Sequence, residues 1–345
     1  MLWFVGLGIS GSKSISLEVQ SLLKRADIVY LEQFTSIITK PDIAKLKKLV
    51  KGEFKIVKRW MVEDGQEILK NAKRKTAVLL SYGDPYIATT HIELRTRAVQ
   101  EKIKTKTIHA ASSITALVGE CGLHYYKIGK VVTIMKEFQT MTSAYYTIYW
   151  NLVAGNHTVL LLEYNQDQNF FLDPKEALLN LLSTEKEQAR NVVSQDMFAI
   201  VASRVGFKNQ AIVCGKISSL VKHDFSKPPH TVIITGSLHF TEVDALKALT
   251  KCIDEPIDNS NQIKKISGQM LAKYVPMVRK ALEEILPHYN DSKEFASVLE
   301  NAKLYIDDAE KFYEQGKDEL AVLSIGYAEG LVDALRIAKG FEPKI

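Results

Sequence analysis

The strongest candidate for chemistry in this chain is a polar loop that follows a buried strand. An apolar run at residues 76–81 leads into Gly83, Asp84 and Pro85, and then into two threonines and His91. Ligands in open α/β sheets collect beyond the carboxyl ends of the strands, so Asp84 is placed to accept hydrogen bonds from a ligand's hydroxyl or amine groups. An ordinary turn before a helix N-cap explains the same residues, because Asp-Pro and Thr-Thr are also turn and capping sequences.

A second candidate is the glycine loop at the start of the chain. Gly6, Gly8 and Gly11 form a GxGxxG pattern directly after the first apolar run. Glu32 lies ~20 residues beyond the end of this loop, where a dinucleotide-binding fold places its ribose carboxylate. An NAD(P)-dependent oxidoreductase is therefore an alternative function. A tight turn with a purely structural role would need the same glycines, because they let the backbone turn sharply.

Short apolar runs alternate with amphipathic helical patterns, which indicates an α/β sheet covered by helices. Helices are predicted at residues 16–25, 91–102, 113–121 and 174–187. Only a four-residue polar turn separates two of the later strands, which predicts a hairpin and antiparallel pairing in the second half. We therefore expect two α/β lobes with a cleft between them. The predicted strands are residues 2–7, 27–31, 76–81, 106–110, 131–135, 157–164, 197–205, 210–216 and 231–235.

The pattern changes after Asp254, where strand-like runs stop. Helical periodicity at residues 262–287, 292–315 and 318–339, with Gly316 and Gly340 at helix C-cap positions, predicts a three-helix bundle. The polar segment 254–261 is the predicted linker. The predicted domains are an N-terminal lobe at 1–105, a second lobe at 106–254 and the bundle at 262–345.

Composition limits the class of protein. The 345 residues include 46% hydrophobic and 25% charged residues, and 45 Lys and Arg against 40 Asp and Glu give a net charge of +5. This excess is too small to predict a nucleic-acid-binding surface. Three separated cysteines do not indicate a disulfide framework or a metal site, and we expect a reducing, cytoplasmic setting. The first residues predict a strand rather than a signal peptide, and no apolar run reaches the ~18 residues that would span a membrane.

Five blocks of sequence, in a fixed order, resemble the diphthine synthase family. They spread over residues 1–254, and a match of several ordered blocks is more specific than either motif alone. The blocks are VYLEQFTS at 29–36, GDPYIATTH at 83–91, HAASSITALVGECGLHYYKIGK at 109–130, SRVG at 203–206 and PPHTVIITGSLHF at 228–240.

The resemblance implies a two-lobed fold of the tetrapyrrole-methylase type, S-adenosylmethionine as cofactor and a homodimer. It implies as substrate a 3-amino-3-carboxypropyl-histidine on translation elongation factor 2, whose amino group is methylated. A methylase acting on a corrin-type tetrapyrrole has the same fold and is a further alternative. The resemblance assigns no catalytic residue. The cofactor-contacting positions that it implies are Ile9, Asp84, Ile87, Ser112, Ser113, Leu162, Val205 and His230.

The resemblance has two limits along the chain. Residues 10–13 and 135–144 depart from the family's pattern, the first by carrying Ser-Gly-Ser-Lys in place of acidic residues. The predicted bundle is not part of the usual enzyme and resembles a small archaeal helical domain of unknown function. His230, Asp84 and Glu32 are hypothetical acceptors for the proton that the substrate amine must lose before it attacks a methyl group.

Overall fold

A computed structural model describes residues 1–137, 140–260, 263, 265–290 and 293–343. The chain divides into two compact units, Met1–Asn261 and Gln262–Ile345. The domain boundaries given above, at 105/106 and between 254 and 262, stay predictions. None of the described helices combines the length and apolar character that crossing a bilayer requires.

The first sheet of the larger unit is parallel throughout. Its strands within the described chain are β1 (Leu2–Gly6), β2 (Ile28–Glu32), β3 (Glu53–Val57), β4 (Ala77–Ser81) and β5 (Thr105–Ile108). They pair in the order β3-β2-β4-β1-β5. The strands β1, β2 and β4 are buried along their whole length, as expected where helices cover both faces of a parallel sheet. Their carboxyl ends therefore share one edge.

Side-chain alternation along these strands builds two cores, one on each face of the sheet. Trp3 and Val5 pack into one cluster of buried residues, whereas Leu2 and Phe4 pack into the other. Successive side chains of a strand point to opposite faces, so an apolar residue at every position is what two covered faces require. The sheet is thus fixed from both sides, and the loops at its carboxyl edge start from rigid strands.

The second sheet is mixed. Its strands in the described chain pair in the order β13-β11-β10-β12-β7-β6, with β10 antiparallel to both β11 and β12. A separate two-stranded hairpin, β8 and β9, follows β7 directly. The strands are β6 (Val132–Ile134), β7 (Thr158–Leu162), β8 (Tyr164–Asn165), β9 (Phe170–Phe171), β10 (Phe198–Ser203), β11 (Ala211–Lys216), β12 (His230–Ile234) and β13 (Lys251–Cys252).

Polar residues set the start of several helices in the larger unit. The side chains of Ser16, Thr39 and Ser112 each accept a hydrogen bond from a backbone N–H of the first turn that follows, which satisfies donors that the helix itself leaves unpaired. The helices are α1 (Leu17–Arg25), α2 (Lys40–Leu49), α3 (Arg59–Asp64), α4 (Gln66–Ala72), α5 (His91–Gln100), α6 (Ser113–Cys121), α7 (Met141–Val153), α8 (Pro174–Gln188), α9 (Ile217–Leu220) and α10 (Phe240–Leu249).

The smaller unit consists, in its described part, of three long helices around one apolar core. They are α11 (Ile266–Ile285), α12 (Ala296–Glu314) and α13 (Asp318–Ala338). Gly316 and Gly340 follow the ends of α12 and α13 with φ values of +72° and +77°, which confirms them as C-cap glycines. The predicted helix starts at Gln262 and Ser292 lie outside the described residues.

The sequence predicted most of the sheet strands and missed the least regular ones. All nine predicted strands are present, and the hairpin of β10 and β11 is confirmed. The edge strand β3, the short strands β8, β9 and β13, and the helices α2, α3, α4, α7, α9 and α10 were not predicted. Two of the separated cysteines meet across β11 and β13, where the sulfur atoms of Cys214 and Cys252 lie 2.7 Å apart as free thiols.

Candidate active site

A cavity in the larger unit lies beyond the carboxyl end of β4, where loops of the first sheet face strands of the second. The loops after β4 and β5 supply its polar side, and β7, the end of β10 and the start of β12 supply a more apolar side. We call it the loop cavity. Seven of the eight residues that the resemblance assigned to a cofactor line it: Asp84, Ile87, Ser112, Ser113, Leu162, Val205 and His230.

Asp84 holds the polar side of the loop cavity in shape. Its Oδ1 accepts a hydrogen bond from the Tyr86 N–H at 2.9 Å, and its Oδ2 accepts one from the Ala110 N–H at 3.3 Å and lies 2.8 Å from His109 Nδ1. An ionised carboxylate has about four acceptor positions, so these three contacts leave about one for a ligand. Asp84 thus holds the loop in place and can still accept a hydrogen bond from a ligand.

The glycine loop packs against the loop that carries Asp84. The N–H of Gly8 donates to the Gly83 carbonyl at 3.2 Å, and the N–H of Gly83 donates to the Gly8 carbonyl at 3.0 Å. A Cβ atom on Gly6 would lie 2.5 Å from the same Gly83 carbonyl oxygen. The close approach that glycine permits is therefore made here to another segment of the chain, which explains the pattern without a bound phosphate.

Glu32 lies inside the fold at the end of β2. Its Oε2 accepts hydrogen bonds from the N–H groups of Phe34 at 2.9 Å and Thr35 at 3.1 Å, and the Thr35 hydroxyl donates to Oε1. Burial raises the pKa of this carboxyl to about 7. A dinucleotide site would need Glu32 to face a ribose, but here its oxygens bind the turn that follows. This geometry weighs against the oxidoreductase.

Ile9 is the one predicted contact residue outside the lining of the loop cavity. Its carbonyl accepts a hydrogen bond from the Tyr82 hydroxyl, and its side chain packs against Gly206. Tyr82 and Val205, which precedes Gly206, both line the cavity. Ile9 therefore lies behind the cavity wall, and its direct contact with a cofactor stays a prediction.

The N-terminus of α6 contributes to the polar side of the loop cavity. Ser112 is the N-cap residue, is 5% exposed, and accepts a hydrogen bond from the Ile114 N–H at 3.2 Å. Ser112, Ser113 and Ile114 all line the cavity. The first turn of a helix carries a partial positive charge and N–H groups without a helical partner, so this end of the cavity suits a negatively charged ligand group.

His230 begins β12 on the opposite side of the loop cavity. Its Nε2 lies 2.7 Å from the Ser226 carbonyl oxygen, so Nε2 carries the proton and Nδ1 is the acceptor. Burial lowers the pKa of His230 to about 4, which keeps the imidazole neutral near pH 7. A neutral ring with an acceptor nitrogen can bind a donor or take up a proton only transiently.

Sequence reasoning missed the aromatic pair that lines the loop cavity. Tyr164 and Phe171 stack with ring centres 4.5 Å apart, held opposite each other by the hairpin of β8 and β9. The two aromatics bracket a short polar stretch, and that arrangement is itself a hairpin signal. Thr35 was missed as well, because only the fold brings the turn after β2 to this cavity.

Family models match both units of the chain. The model "Tetrapyrrole (Corrin/Porphyrin) Methylases" matches residues 1–221, and the model "Protein of unknown function (DUF357)" matches residues 273–341. The first match covers most of the sheet-containing unit and agrees with the predicted fold class. The second covers α12, α13 and most of α11, which confirms the prediction that a helical domain of unknown function is appended to the enzyme.

Individual relatives narrow the family. The chain is 34% identical to the diphthine synthase of Methanococcus vannielii over 252 residues, which are 72% of this chain and 98% of the relative. It is 34% identical over 258 residues to the diphthine synthase of Methanocaldococcus jannaschii, and the match covers 73% of this chain and 100% of that relative. A crystal structure of a diphthine synthase aligns with a TM-score of 0.66 and 29% identity, covering 76% of this chain and 99% of the other. The chain therefore belongs to the diphthine synthase family of methyltransferases, which has the tetrapyrrole-methylase fold.

Proposed function

We propose that this protein transfers methyl groups from S-adenosylmethionine to the amino group of a 3-amino-3-carboxypropyl-histidine on translation elongation factor 2, a step of diphthamide biosynthesis. The observation that carries this proposal is the convergence of predicted contact residues on one cavity. Positions between Asp84 and His230, separated by up to 146 residues of sequence, line the same space. A concave site with a few convergent polar groups is the usual form of a cofactor site.

The groups around the loop cavity fit S-adenosylmethionine. Asp84 retains an acceptor position for ribose hydroxyls or an amine. The first turn of α6 suits the carboxylate of the methionine part, and Ile87, Leu162 and Val205 offer apolar surface to the adenine. We propose that these residues, with Ser112, Ser113, His230 and Ile9, form the cofactor site.

Positioning is the main task of the protein in this reaction. When bound, the cofactor supplies a methyl group on a positively charged sulfur, which is already a good leaving group. The chain then has to hold the acceptor nitrogen in line with that methyl group and keep water away, and such alignment accounts for a large part of the rate in reactions of this type. Tyr164 and Phe171 offer ring faces to the nitrogen as it becomes a cation.

The acceptor amine must lose its proton before it attacks. We propose His230 Nδ1 for this transient role, because Nε2 faces the Ser226 carbonyl oxygen, which leaves Nδ1 as an acceptor, and the ring lines the loop cavity. His230→Ala should then shift the pH profile of methyl transfer, whereas an unchanged profile would exclude the histidine from this step. Binding of S-adenosylmethionine by the same variant checks that the site is intact.

The direct test is an in vitro methylation assay. The purified chain is mixed with labelled S-adenosylmethionine and with elongation factor 2 that carries the 3-amino-3-carboxypropyl group. We expect label in this factor and none in elongation factor 2 with an unmodified histidine, which is the matched control. Methylation of a corrin precursor with no label in elongation factor 2 would contradict the proposal and favour the tetrapyrrole-methylase alternative.

We also propose that the protein is a cytoplasmic homodimer without a direct nucleic-acid or membrane partner. The family resemblance supports the dimer, and the small net charge of +5 supports the lack of a nucleic-acid partner. Light scattering of the purified chain measures the first property: twice the mass of 38.8 kDa is expected, and a monomer at micromolar concentration would contradict it.

A further inference from the structure

A second cavity adjoins the loop cavity and shares a wall with it. The shared wall consists of Thr35, Ala88, Leu161, Leu162, Glu163 and Tyr164. The second cavity has a volume of about 640 Å³ and extends from this wall to the start of α3 and the turn of the β8–β9 hairpin. We call it the hairpin cavity. None of the eight residues assigned to the cofactor lines it except Leu162, which belongs to the shared wall.

The far side of the hairpin cavity carries two positive charges. Lys58 and Arg59, at the start of α3, both line it. The Nζ of Lys58 lies 2.7 Å from the Asp167 carboxylate in the hairpin turn. In the ion pair that the structure records for Arg59, Nε lies 3.3 Å from Glu63, and the guanidinium lies over the Phe34 ring at 5.7 Å. The terminal nitrogens of Arg59 form the planar fork that matches a carboxylate.

We propose that the hairpin cavity binds the amino-acid end of the acceptor, with Lys58 and Arg59 holding its carboxylate in the place that Asp167 now occupies. This inference rests on the proposed function, because that function makes the acceptor an α-amino acid at the end of a histidine side chain. Such a group has a carboxylate and an amine on one carbon. A carboxylate held at α3 directs its amine toward the residues that line both cavities, where it can meet the methyl group of a donor in the loop cavity.

Charge distribution supports this orientation. The cations of the hairpin cavity come from α3, whereas the carboxylate of Glu163 belongs to the shared wall. Glu163 Oε2 accepts a hydrogen bond from the Lys136 N–H at 2.7 Å, which fixes its position. A zwitterion therefore meets cations on one side and an anion on the other, in the order that its two charges require.

The Lys58–Asp167 ion pair is well suited to exchange. Both side chains are more than half exposed, at 57% and 67%, and an ion pair of that exposure contributes little to stability. Replacing one carboxylate by another at the same ammonium group therefore costs little free energy. The exchange removes the contact of the hairpin turn with Lys58 and leaves the hydrogen bond from Gln166 to Gln33 in place.

The test uses the full chain, S-adenosylmethionine and modified elongation factor 2, with three variants. Lys58→Met removes the cation, Asp167→Asn removes the carboxylate that competes for it, and Lys73→Met is the matched control. Lys73 also forms an exposed ion pair at 2.7 Å, with Glu101, but it does not line either cavity. Calorimetry gives the cofactor affinity, and initial rates give KM and kcat for elongation factor 2.

We expect Lys58→Met to raise the KM for elongation factor 2 about tenfold, with cofactor affinity unchanged and Lys73→Met like the wild type. Asp167→Asn should lower that KM, because the lysine is no longer occupied. An unchanged KM in Lys58→Met would overturn this inference and leave the proposed function intact. So would a KM raised equally by Lys58→Met and Asp167→Asn, since the pair would then only hold the hairpin. A wild-type chain that binds the cofactor but never methylates elongation factor 2 would overturn the proposed function, and this inference with it.

Discussion

The two sides of the loop cavity are held in different ways. On the first-sheet side, Gly8 and Gly83 exchange two backbone hydrogen bonds and Asp84 ties its own loop to the segment after β5. On the other side, the β8–β9 hairpin is held by the exposed Lys58–Asp167 ion pair and by a partly buried hydrogen bond from Gln166 to Gln33 at 3.0 Å. We call these the fixed side and the hairpin side.

This difference suits the two ligands of a methyl transfer. A small cofactor gains affinity from a surface that is already in its bound shape, because little ordering is lost on binding. A protein substrate needs an opening, and segments that open belong to the parts of a fold with few buried contacts. Four experiments test how far the two sides differ, beginning with the largest expected effect.

Asp84→Ala should have the largest effect, because it removes the acceptor and the main support of the fixed side. We expect the affinity for S-adenosylmethionine to fall about 100-fold, which corresponds to the ~3 kcal/mol of a lost hydrogen bond to a charged group. Isothermal calorimetry measures this fall, with NADH as a second titrant. Asp196→Ala, which removes an exposed carboxylate paired with Lys216, is the control. Affinity within about threefold of wild type would show that Asp84 does not bind the cofactor.

Glu32→Gln should change how stability depends on pH. The pKa of Glu32 is raised in the fold to about 7, above the 4.5 of an unperturbed glutamate. The stabilisation therefore belongs to the neutral form, is fully present below about pH 4.5, and is lost as the pH rises through 7. Between pH 5 and 8 the free energy of unfolding should fall by ~3 kcal/mol more in the wild type than in Glu32→Gln.

Urea unfolding at the two pH values measures this difference. Glu101→Gln, which changes an exposed glutamate, serves as the control and should follow the wild type. If the free energy of unfolding fell equally between pH 5 and 8 in the wild type and in Glu32→Gln, Glu32 would already be ionised inside the fold at pH 5.

Hydrogen exchange should separate the two sides directly. The residues of β4 are fully buried in the parallel sheet, whereas those of the hairpin are half-buried in a two-stranded element. We expect the amides of Tyr164–Asn165 and Phe170–Phe171 to exchange at least ~100-fold faster than those of Ala77–Ser81. Mass spectrometry of peptides from both regions measures this ratio. Similar protection in both would show that the hairpin is as fixed as the sheet.

Asp167→Asn should have the smallest effect on stability. The variant breaks only the exposed ion pair with Lys58, and such pairs are worth about 0.5 kcal/mol or less. The Tm, followed by circular dichroism, should stay within about 2 °C of the wild type. A larger loss would mean that this contact supports the fold and is not available for exchange with a substrate.

The sequence was sufficient for the parts of the fold that repeat a pattern. Buried strands such as β1 and β4 are continuous apolar runs, and the glycines after α12 and α13 mark the helix ends. The edge strand β3 is exposed or half-buried at four of its five residues and carries two charged residues, Glu53 and Lys55, so it has no apolar run to recognise. Short strands such as β8 and β9 form because the chain reverses between two aromatic rings, which local periodicity does not record.

The site was predicted only where a motif or the family resemblance marked it. Asp84 follows a strand end and could be identified from position. The burial of Glu32 could not be identified from the sequence, because its oxygens accept hydrogen bonds from Phe34 and Thr35 only once the turn after β2 has formed. Lys58 meets Asp167 across 109 residues of sequence, and two charged residues so far apart give no sign of a shared cavity.

The most direct test of the central claim is a crystal structure of the protein with S-adenosylhomocysteine, the product of the cofactor. We predict density in the loop cavity, in contact with Asp84, Ser112 and His230 and separated from Lys58 by the shared wall. Density at the glycine loop near Glu32, or in the hairpin cavity, would contradict the account, because the predicted contact residues would then meet for a reason other than binding the methyl donor.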